Sequence, residues 1–141
     1  MVTCFVLDAS VAAAWLFDDE DNPRANAALE RLETELALVP QLWHLEVRSA
    51  LIGAERRGRM RADEVDECLR RIEELPVETD TKLDVGVSFA LARAHRLPIY
   101  DATYLELALR ADAPLATLDK AQAAAAVAEG RMLVEALDGL V

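Results

Sequence analysis

Four acidic side chains occupy positions where they could form a common metal site. Asp8, Asp101 and Asp119 each directly follow a short apolar run and precede a helical pattern, and Glu46 lies within a longer helical pattern. Carboxylates within about 4 Å repel one another by a few kcal/mol at an effective dielectric constant of about 20, so such a cluster needs a cation or raised pKa values. Oxygen donors without nearby His or Cys suit Mg²⁺ or Mn²⁺, and such an ion can activate water for attack on a phosphodiester. The four carboxylates therefore predict metal-dependent phosphodiester hydrolysis.

Helix capping is a simpler role for three of these residues. An Asp before a helix is a favoured N-cap, because its carboxylate accepts hydrogen bonds from the free backbone N–H groups of the first turn. This alternative applies to Asp8, Asp101 and Asp119 separately, and the residue types alone leave it open.

Glu46 differs because helical spacing turns it away from the polar side of its helix. A predicted helix covers residues 42–57, and its polar arc consists of Gln41, His44, Arg48 and Glu55. Glu46 shares another arc with Leu42, Ser49, Ala50 and Gly53. We therefore expect Glu46 to face protein, where an unpaired carboxylate is costly. Its partner is expected to be either an arginine or a metal ion.

Strands and helices alternate along the chain and would position these carboxylates. The patterns predict strands at residues 2–7, 36–39, around Val77, 99–100 and 115–118, with a closing strand at 132–137. Predicted helices cover residues 10–17, 24–35, 42–57, 63–75, 83–95, 102–110 and 121–129. This order implies right-handed crossovers and a three-layer α/β/α sandwich with a mainly parallel central sheet. Ligands bind such sheets outside the carboxyl ends of the strands, where the strand order reverses. Asp8, Asp101 and Asp119 should all lie at that edge.

Length and composition are consistent with a single domain over residues 1–141. The chain has 141 residues, is 53% hydrophobic, and contains no repeat or low-complexity linker. Its longest uncharged apolar stretches, residues 9–17 and 121–128, are shorter than the roughly 20 residues of a membrane-spanning helix. Asp8 interrupts the apolar start, which lacks the basic region of a signal peptide. Cys4 and Cys68 have neither metal-ligand spacing nor a disulfide framework. We expect a cytoplasmic protein with no membrane segment.

The net charge of −11 argues against nucleic-acid binding, because surfaces that bind phosphate are usually basic. Two explanations would reconcile a nucleic-acid substrate with this charge. The acidic groups can concentrate divalent cations, and the arginines can be gathered locally although they are outnumbered overall.

Four segments carry a family resemblance that covers nearly the whole chain. They are Val6-Leu7-Asp8-Ala9-Ser10, His44-Leu45-Glu46-Val47, Leu97-Pro98-Ile99-Tyr100-Asp101-Ala102-Thr103-Tyr104 and Leu115-Ala116-Thr117-Leu118-Asp119. Their order and spacing resemble those of the PIN-domain ribonucleases, in particular the VapC toxins of bacterial type II toxin-antitoxin pairs. The resemblance implies a PIN-like α/β/α fold and endonucleolytic cleavage of RNA. It also implies a homodimer and inhibition by a partner antitoxin.

The resemblance further implies roles for individual residues. Asp8, Glu46, Asp101 and Asp119 would be catalytic and would hold one or two divalent ions, Mg²⁺ or Mn²⁺. Ser10 and Thr117 would be supporting polar groups beside them, although a first-turn helix residue and a strand residue are equally ordinary interpretations. The candidate substrate-binding set consists of Ser10, Arg48, Thr117 and Lys120. The segment after Lys120 is rich in Ala where the family pattern has more basic residues, so the grip on RNA there is not predicted.

A basic cluster and three aromatic residues are further candidates for contacts with RNA. The cluster comprises Arg56, Arg57, Arg59 and Arg61, and its simpler interpretation is a solvated turn where cations favour the helix C-terminus. Trp15, Trp43 and Tyr104 could stack on bases, but their apolar helical spacing favours a core or dimer-interface role.

Other protein classes fit the pattern less well. A haloacid-dehalogenase-type phosphatase needs a second Asp two residues after the first, where this chain has Ser10. A receiver domain needs an acidic pair after the first strand and an Asp after the third, and neither Asp8 nor residues 51–58 provide them. A catalytically inactive PIN-like binding protein remains an alternative, ranked lower because all four acidic positions are intact. The sequence does not identify the RNA that would be cut or the antitoxin.

Overall fold

The structure, a computed structural model, describes residues 3–17 and 21–135. Within these ranges the strands are β1 (Cys4–Leu7), β2 (Leu36–Pro40), β3 (Val77–Asp80) and β4 (Leu115–Ala116). The helices there are α1 (Ala9–Leu16), α2 (Pro23–Arg31), α3 (Gln41–Arg56), α4 (Ala62–Glu74), α5 (Val85–His95), α6 (Ile99–Ala111) and α7 (Lys120–Ala128). None of the described helices has the length and apolarity needed to cross a membrane. That the whole chain forms one domain stays a prediction.

The four strands form one parallel sheet in the order β3-β2-β1-β4. From β1 the chain builds outward to β2 and β3, and it then returns to the other side of β1 with β4. The strand order therefore reverses between β1 and β4, which is where parallel sheets bind ligands. Helices flank the sheet, so the predicted α/β fold with a parallel central sheet is confirmed.

The core surrounds β1, whose residues Phe5, Val6 and Leu7 are fully buried. A central parallel strand is covered on both faces, and this is why it appears in the sequence as a continuous apolar run. Helix α6 is the most buried helix, and Tyr104 and Leu105 on it are inaccessible to solvent. The first turn of α6, which carries Asp101, therefore belongs to a helix that is largely buried in the core.

The predicted strand at residues 99–100 is wrong, because Ile99 and Tyr100 form the first turn of α6. Pro98 is the N-cap of this helix, and both Ile99 and Tyr100 are exposed. A two-residue run of strand-forming residues has no periodicity that could separate a strand from a helix start. Asp101 consequently lies in a helical turn and not at the end of a strand.

The predicted closing strand at 132–137 is reduced to a single bridge in the described residues. Leu133 forms an isolated parallel bridge with Leu115, and the Val134 N–H donates to the Leu115 carbonyl at 3.0 Å. Residues 136 and 137 lie outside the described ranges. The bridge extends the sheet beyond β4 for one residue pair.

An ion-pair network fastens α6 to β3 and to the start of α5. The Arg110 guanidinium contacts Asp80 at 2.6 Å and Glu106 at 2.7 Å. Glu106 is 2% exposed, and its Oε1 also accepts a hydrogen bond from the Asp84 N–H at 3.1 Å. A buried carboxylate with these partners fixes the position of α6 relative to the sheet.

Candidate active site

Asp8 is the most buried of the four predicted carboxylates, with 6% of its surface exposed. It follows β1 and is the N-cap of α1, where Oδ2 accepts a hydrogen bond from the Ser10 N–H at 3.2 Å. The same oxygen lies 2.5 Å from Ser10 Oγ and 3.1 Å from Thr117 Oγ1. Burial raises the pKa of Asp8, and these hydrogen bonds oppose the rise. Capping and membership of an acidic site are therefore compatible at this position.

Glu46 on α3 is half-buried and is held by a tyrosine. The Tyr104 hydroxyl donates to Glu46 Oε1 at 2.6 Å. Burial raises the pKa of Glu46, the Tyr104 hydrogen bond opposes the rise, and the charges of Asp8 and Asp101 add to it. Burial and the adjacent Glu46 also raise the pKa of Tyr104, so its hydroxyl remains a donor. Among the described residues Glu46 has no arginine partner, unlike one of the two expectations.

The helical projection of α3 was only partly correct. The buried stripe consists of Trp43, Val47, Leu51 and Ala54, and Glu46 lies at its edge. Ser49, which was placed on the same arc as Glu46, is exposed. Glu46 thus faces the rim of the site and not the helix-packing interface.

Asp101 is the third residue of α6 and is partly buried. It is not the N-cap of α6, a position that Pro98 occupies. Burial raises the pKa of Asp101, and the charges of Asp8 and Asp119 raise it further. The position in the first turn favours a negative charge because of the helix dipole. The capping alternative is therefore wrong for Asp101.

Asp119 is exposed, follows β4 and caps α7, where its Oδ1 accepts a hydrogen bond from the Gln122 N–H at 2.8 Å. Its charge acts on Asp101, while Asp101 and Asp8 both act on Glu46. These electrostatic interactions connect all four carboxylates. The structure therefore brings the four predicted residues to one edge of the sheet, from buried Asp8 to exposed Asp119. We call the edge formed by Asp8, Glu46, Asp101 and Asp119 the acidic edge.

Among the described residues, no cationic side chain forms an ion pair with a carboxylate of this edge. In residues 3–17 and 21–135, the ion pairs involve other carboxylates than these four. In the same ranges, no group of three or more His, Cys, Asp or Glu side chains is arranged so that together they could hold a metal ion. Mg²⁺ commonly binds through only one or two carboxylates and keeps several waters. The oxygen donors here fit a hydrated divalent ion better than an ion enclosed by protein.

A network of hydroxyl and amide groups supports the acidic edge from below. Ser10 Oγ accepts a hydrogen bond from the Leu118 N–H at 3.0 Å, and Thr117 Oγ1 accepts one from the Asp119 N–H at 3.1 Å. Thr117 Oγ1 also lies 2.5 Å from Oε1 of the fully buried Gln122. Ser10 and Thr117 are thus beside the carboxylates, as the resemblance implied.

Sequence reasoning missed Gln122 altogether and missed Tyr104 as a partner of Glu46. The sequence contains one signal for Gln122, because it is the one polar residue after Lys120 in the alanine-rich sequence of α7. For Tyr104 the sequence favours a core or dimer-interface role over stacking on bases, and neither role predicts a bond to Glu46. Tyr104 lies 58 positions from Glu46 in the chain, and spacing along the sequence carries no information about such a pair.

The other candidate substrate contacts lie outside this network. The Arg48 guanidinium donates to the His44 carbonyl at 3.0 Å, one turn earlier on α3. Lys120 is exposed at the first position of α7. Their role in substrate binding stays a prediction.

The basic turn and the aromatic residues differ in accessibility. The arginines of the basic turn are all exposed, and of these Arg59 lies over the Phe17 ring at 4.6 Å and Arg61 pairs with Asp63 at 3.1 Å. The three aromatic residues considered for stacking are buried, which supports the core interpretation: Trp15, Trp43 and Tyr104.

The chain matches the PIN domain family over residues 5–128 and belongs to that family. Among named relatives, it is 33% identical over 119 residues to Ribonuclease VapC3 of Pyrobaculum aerophilum. This similarity covers 82% of this chain and 88% of that protein.

Solved structures share the fold at low sequence identity. A crystal structure of PAE2754 from Pyrobaculum aerophilum superposes with a TM-score of 0.66 at 18% identity and covers 94% of this chain and 90% of that one. FitAcB from Neisseria gonorrhoeae gives a TM-score of 0.66 at 16% identity, with 93% and 96% covered. A toxin-antitoxin complex from Klebsiella pneumoniae gives 0.53 at 18% identity, with 79% and 82% covered. At these identities the likeness demonstrates the fold alone.

Proposed function

We propose that this chain is a divalent-metal-dependent endoribonuclease and the toxin component of a type II toxin-antitoxin pair. The observation that carries the proposal is the acidic edge, where four carboxylates gather at the strand-order reversal and, within residues 3–17 and 21–135, form no ion pair with a cationic side chain. Such a set favours binding of a divalent cation. Membership of the PIN family and the relative named Ribonuclease VapC3 support RNA as the substrate.

The residues of the chain divide the work between ion binding and orientation. Asp8, Glu46, Asp101 and Asp119 would hold one or two Mg²⁺ or Mn²⁺ ions. A bound ion of this kind supplies an activated water and offsets negative charge on the phosphoryl oxygens.

Orientation comes from groups that do not ionise at neutral pH. Ser10 and Thr117 fix Asp8 through Oδ2, and Tyr104 fixes Glu46 through Oε1. Carboxylates fixed in this way would hold a bound ion without reorganisation during the reaction, which is how prearranged sites lower barriers.

Substrate binding would use the few cations near this edge. Lys120 is exposed and adjacent to Asp119, so its ammonium can contact an RNA phosphate. We expect Lys120→Gln to raise KM for RNA, with a smaller effect on kcat, in a cleavage assay at fixed salt. A loss confined to kcat would contradict a role in binding.

Activity of the purified, partner-free chain tests the proposed function directly. We expect cleavage of structured RNA with Mg²⁺ or Mn²⁺ and no cleavage with EDTA. Asp119→Asn should abolish cleavage, and the matched control Asp66→Asn, which removes an exposed charge on α4, should not. Cleavage that survives EDTA would contradict the metal mechanism. No cleavage with any metal would favour the inactive binding protein instead.

The antitoxin would inhibit by neutralising the acidic edge. An arginine pairs with carboxylates through two parallel hydrogen bonds and can replace the charge of a metal ion. A structural neighbour from Klebsiella pneumoniae is a toxin-antitoxin complex, which supports a protein partner. Replacing every arginine in the bound antitoxin segment should relieve inhibition of RNA cleavage. Unchanged inhibition would exclude this mode.

A second copy of the chain would cover an exposed apolar surface on α5 and α6. Val85 and Phe89 on α5 are 62% and 55% exposed, and Tyr100 on α6 is 61% exposed. Large exposed apolar side chains on adjacent helices are typical of interfaces. We expect a dimer by light scattering and a monomer for Phe89→Glu. A wild-type monomer at all accessible concentrations would contradict the homodimer.

A further inference from the structure

Gln122 is a fully buried polar residue in a helix that is otherwise lined with alanine. Its buried neighbours on α7 are Ala123, Ala125 and Ala126. A buried amide without hydrogen bonds destabilises a protein, whereas an apolar side chain would pack at this position without that cost. The presence of an amide therefore points to the bonds that it forms.

All of these bonds lead to the acidic edge. The Gln122 N–H donates to Asp119 Oδ1 at 2.8 Å, and its Nε2 donates to the Asp101 carbonyl at 3.0 Å. Its Oε1 lies 2.5 Å from Thr117 Oγ1. One residue thus connects the cap of α7, the first turn of α6 and the end of β4.

The orientation of the amide has only one favourable state. Reversing it would place Oε1 against the Asp101 carbonyl oxygen, where two acceptors would face each other. Nε2 therefore points to α6 and Oε1 points to Thr117. This orientation ties the first turn of α6 to the end of β4.

The fixed Oε1 also competes for the single proton of the Thr117 hydroxyl. That hydroxyl lies 2.5 Å from Gln122 Oε1 but 3.1 Å from Asp8 Oδ2. Through this shared hydroxyl, and through a hydrogen bond of its own side chain that lowers the pKa of Asp8, Gln122 also acts on the most buried carboxylate of the site.

We propose that Gln122 is a positioning residue that holds the first turn of α6 against β4 and thereby sets the metal affinity of the acidic site. This inference rests on the proposed function for its metal part. The statement that Gln122 holds the first turn of α6 against β4 does not depend on a metal ion and can be tested in metal-free protein.

Gln122→Met is the test variant, because methionine has a similar length and suits a buried position. In metal-free protein, hydrogen exchange of fragments covering residues 98–104 should become about three- to tenfold faster, the factor expected for one lost hydrogen bond. Mn²⁺ affinity from thermal shifts should fall about tenfold, the usual effect of removing a partner of a metal ligand. RNA cleavage should lose kcat and keep KM.

Ser88→Ala is the matched control. It removes another buried side-chain hydrogen bond, from Ser88 Oγ to the Asp84 carbonyl at 2.9 Å on α5. We expect it to leave both the Mn²⁺ affinity and exchange at residues 98–104 unchanged. An equal loss of Mn²⁺ affinity in this control would show that general destabilisation explains the effect and would overturn the proposal.

Two further outcomes would also overturn the proposal. Unchanged exchange in Gln122→Met would show that the amide does not hold α6, and faster exchange with unchanged Mn²⁺ affinity would separate α6 from the site. Gln122→Leu replaces the methionine variant if that protein does not fold. A wild-type protein without any Mn²⁺ response contradicts the proposed function instead, and the exchange experiment still decides whether Gln122 holds α6.

Discussion

One experiment can distinguish the two roles of Asp119, which caps helix α7 and is also a proposed metal ligand. Its Oδ1 accepts the Gln122 N–H at 2.8 Å, and its charge raises the pKa of Asp101. Asp119→Asn keeps an oxygen that can accept the capping bond but removes the charge. Asp119→Ala removes both.

The expected free energies follow from these two roles. Without metal, Asn should leave the free energy of unfolding unchanged or slightly raised, because a cap remains and a repulsion is lost, while Ala should lower it by about 1 kcal/mol. Mn²⁺ at a hundredfold excess over the dissociation constant stabilises the wild type by about 2.7 kcal/mol. If the Asn variant binds tenfold more weakly, this gain falls to about 1.4 kcal/mol, and with hundredfold weaker binding to about 0.4 kcal/mol.

Thermal melts of the three proteins with and without Mn²⁺ measure these differences. For a chain of this size about 1 kcal/mol corresponds to about 4 °C, so the wild-type shift should be about 10 °C. RNA cleavage should collapse in both variants. A wild-type Mn²⁺ shift that persists in full in Asp119→Asn would remove Asp119 from the site and leave it a cap only.

Three further perturbations address the other groups. Burial and neighbouring charge raise the pKa of Asp101 in the folded protein. The free energy of unfolding that this group contributes is therefore lost as the pH rises from about 3.9, the value for the unfolded chain, through the raised value. In metal-free protein, Asp101→Asn should be more stable than the wild type at pH 7, and chemical denaturation at pH 3 should show no such difference. Tyr104→Phe removes the 2.6 Å hydrogen bond to Glu46 and should lower the free energy of unfolding by about 1 to 2 kcal/mol. Because this bond lowers the pKa of Glu46, its loss should move the acid limb of the pH-activity profile to higher pH. A profile that does not move would contradict a role of Glu46 in activity. Arg110→Met leaves Glu106, which is 2% exposed, without its cation and should cost about 3 kcal/mol in urea unfolding, while the folded protein keeps its Mn²⁺ affinity.

The sequence predicted the sheet well because buried parallel strands have a direct sequence signature. The apolar runs at residues 2–7 and 36–39 are too short for helices, and the structure has strands of the parallel sheet there, at Cys4–Leu7 and Leu36–Pro40. The run at residues 99–100 had only two residues and preceded a long helical pattern. Whether these two residues form a strand or a helical turn depends on where α6 begins. Packing of α6 against the core determines that it begins at Ile99.

The four acidic residues could be selected from the sequence because chemistry limits what a set of carboxylates can do. Their order along the chain and the alternation of strands and helices placed Asp8 and Asp119 at one edge of the sheet. Asp101 was assigned to the same edge for a wrong reason, since it reaches the edge from the first turn of a helix.

What holds these side chains in place was decided by the tertiary structure alone. Tyr104 meets Glu46 across 58 positions of the chain, and Gln122 reaches the Asp101 carbonyl across 21. Hydrogen-bond partners of this kind depend on the relative placement of helices to within a fraction of an ångström, and periodicity specifies only which side of a helix is buried. The sequence by itself thus predicted which carboxylates would share one edge and what chemistry they could support, and packing determined which tyrosine and which glutamine form hydrogen bonds there.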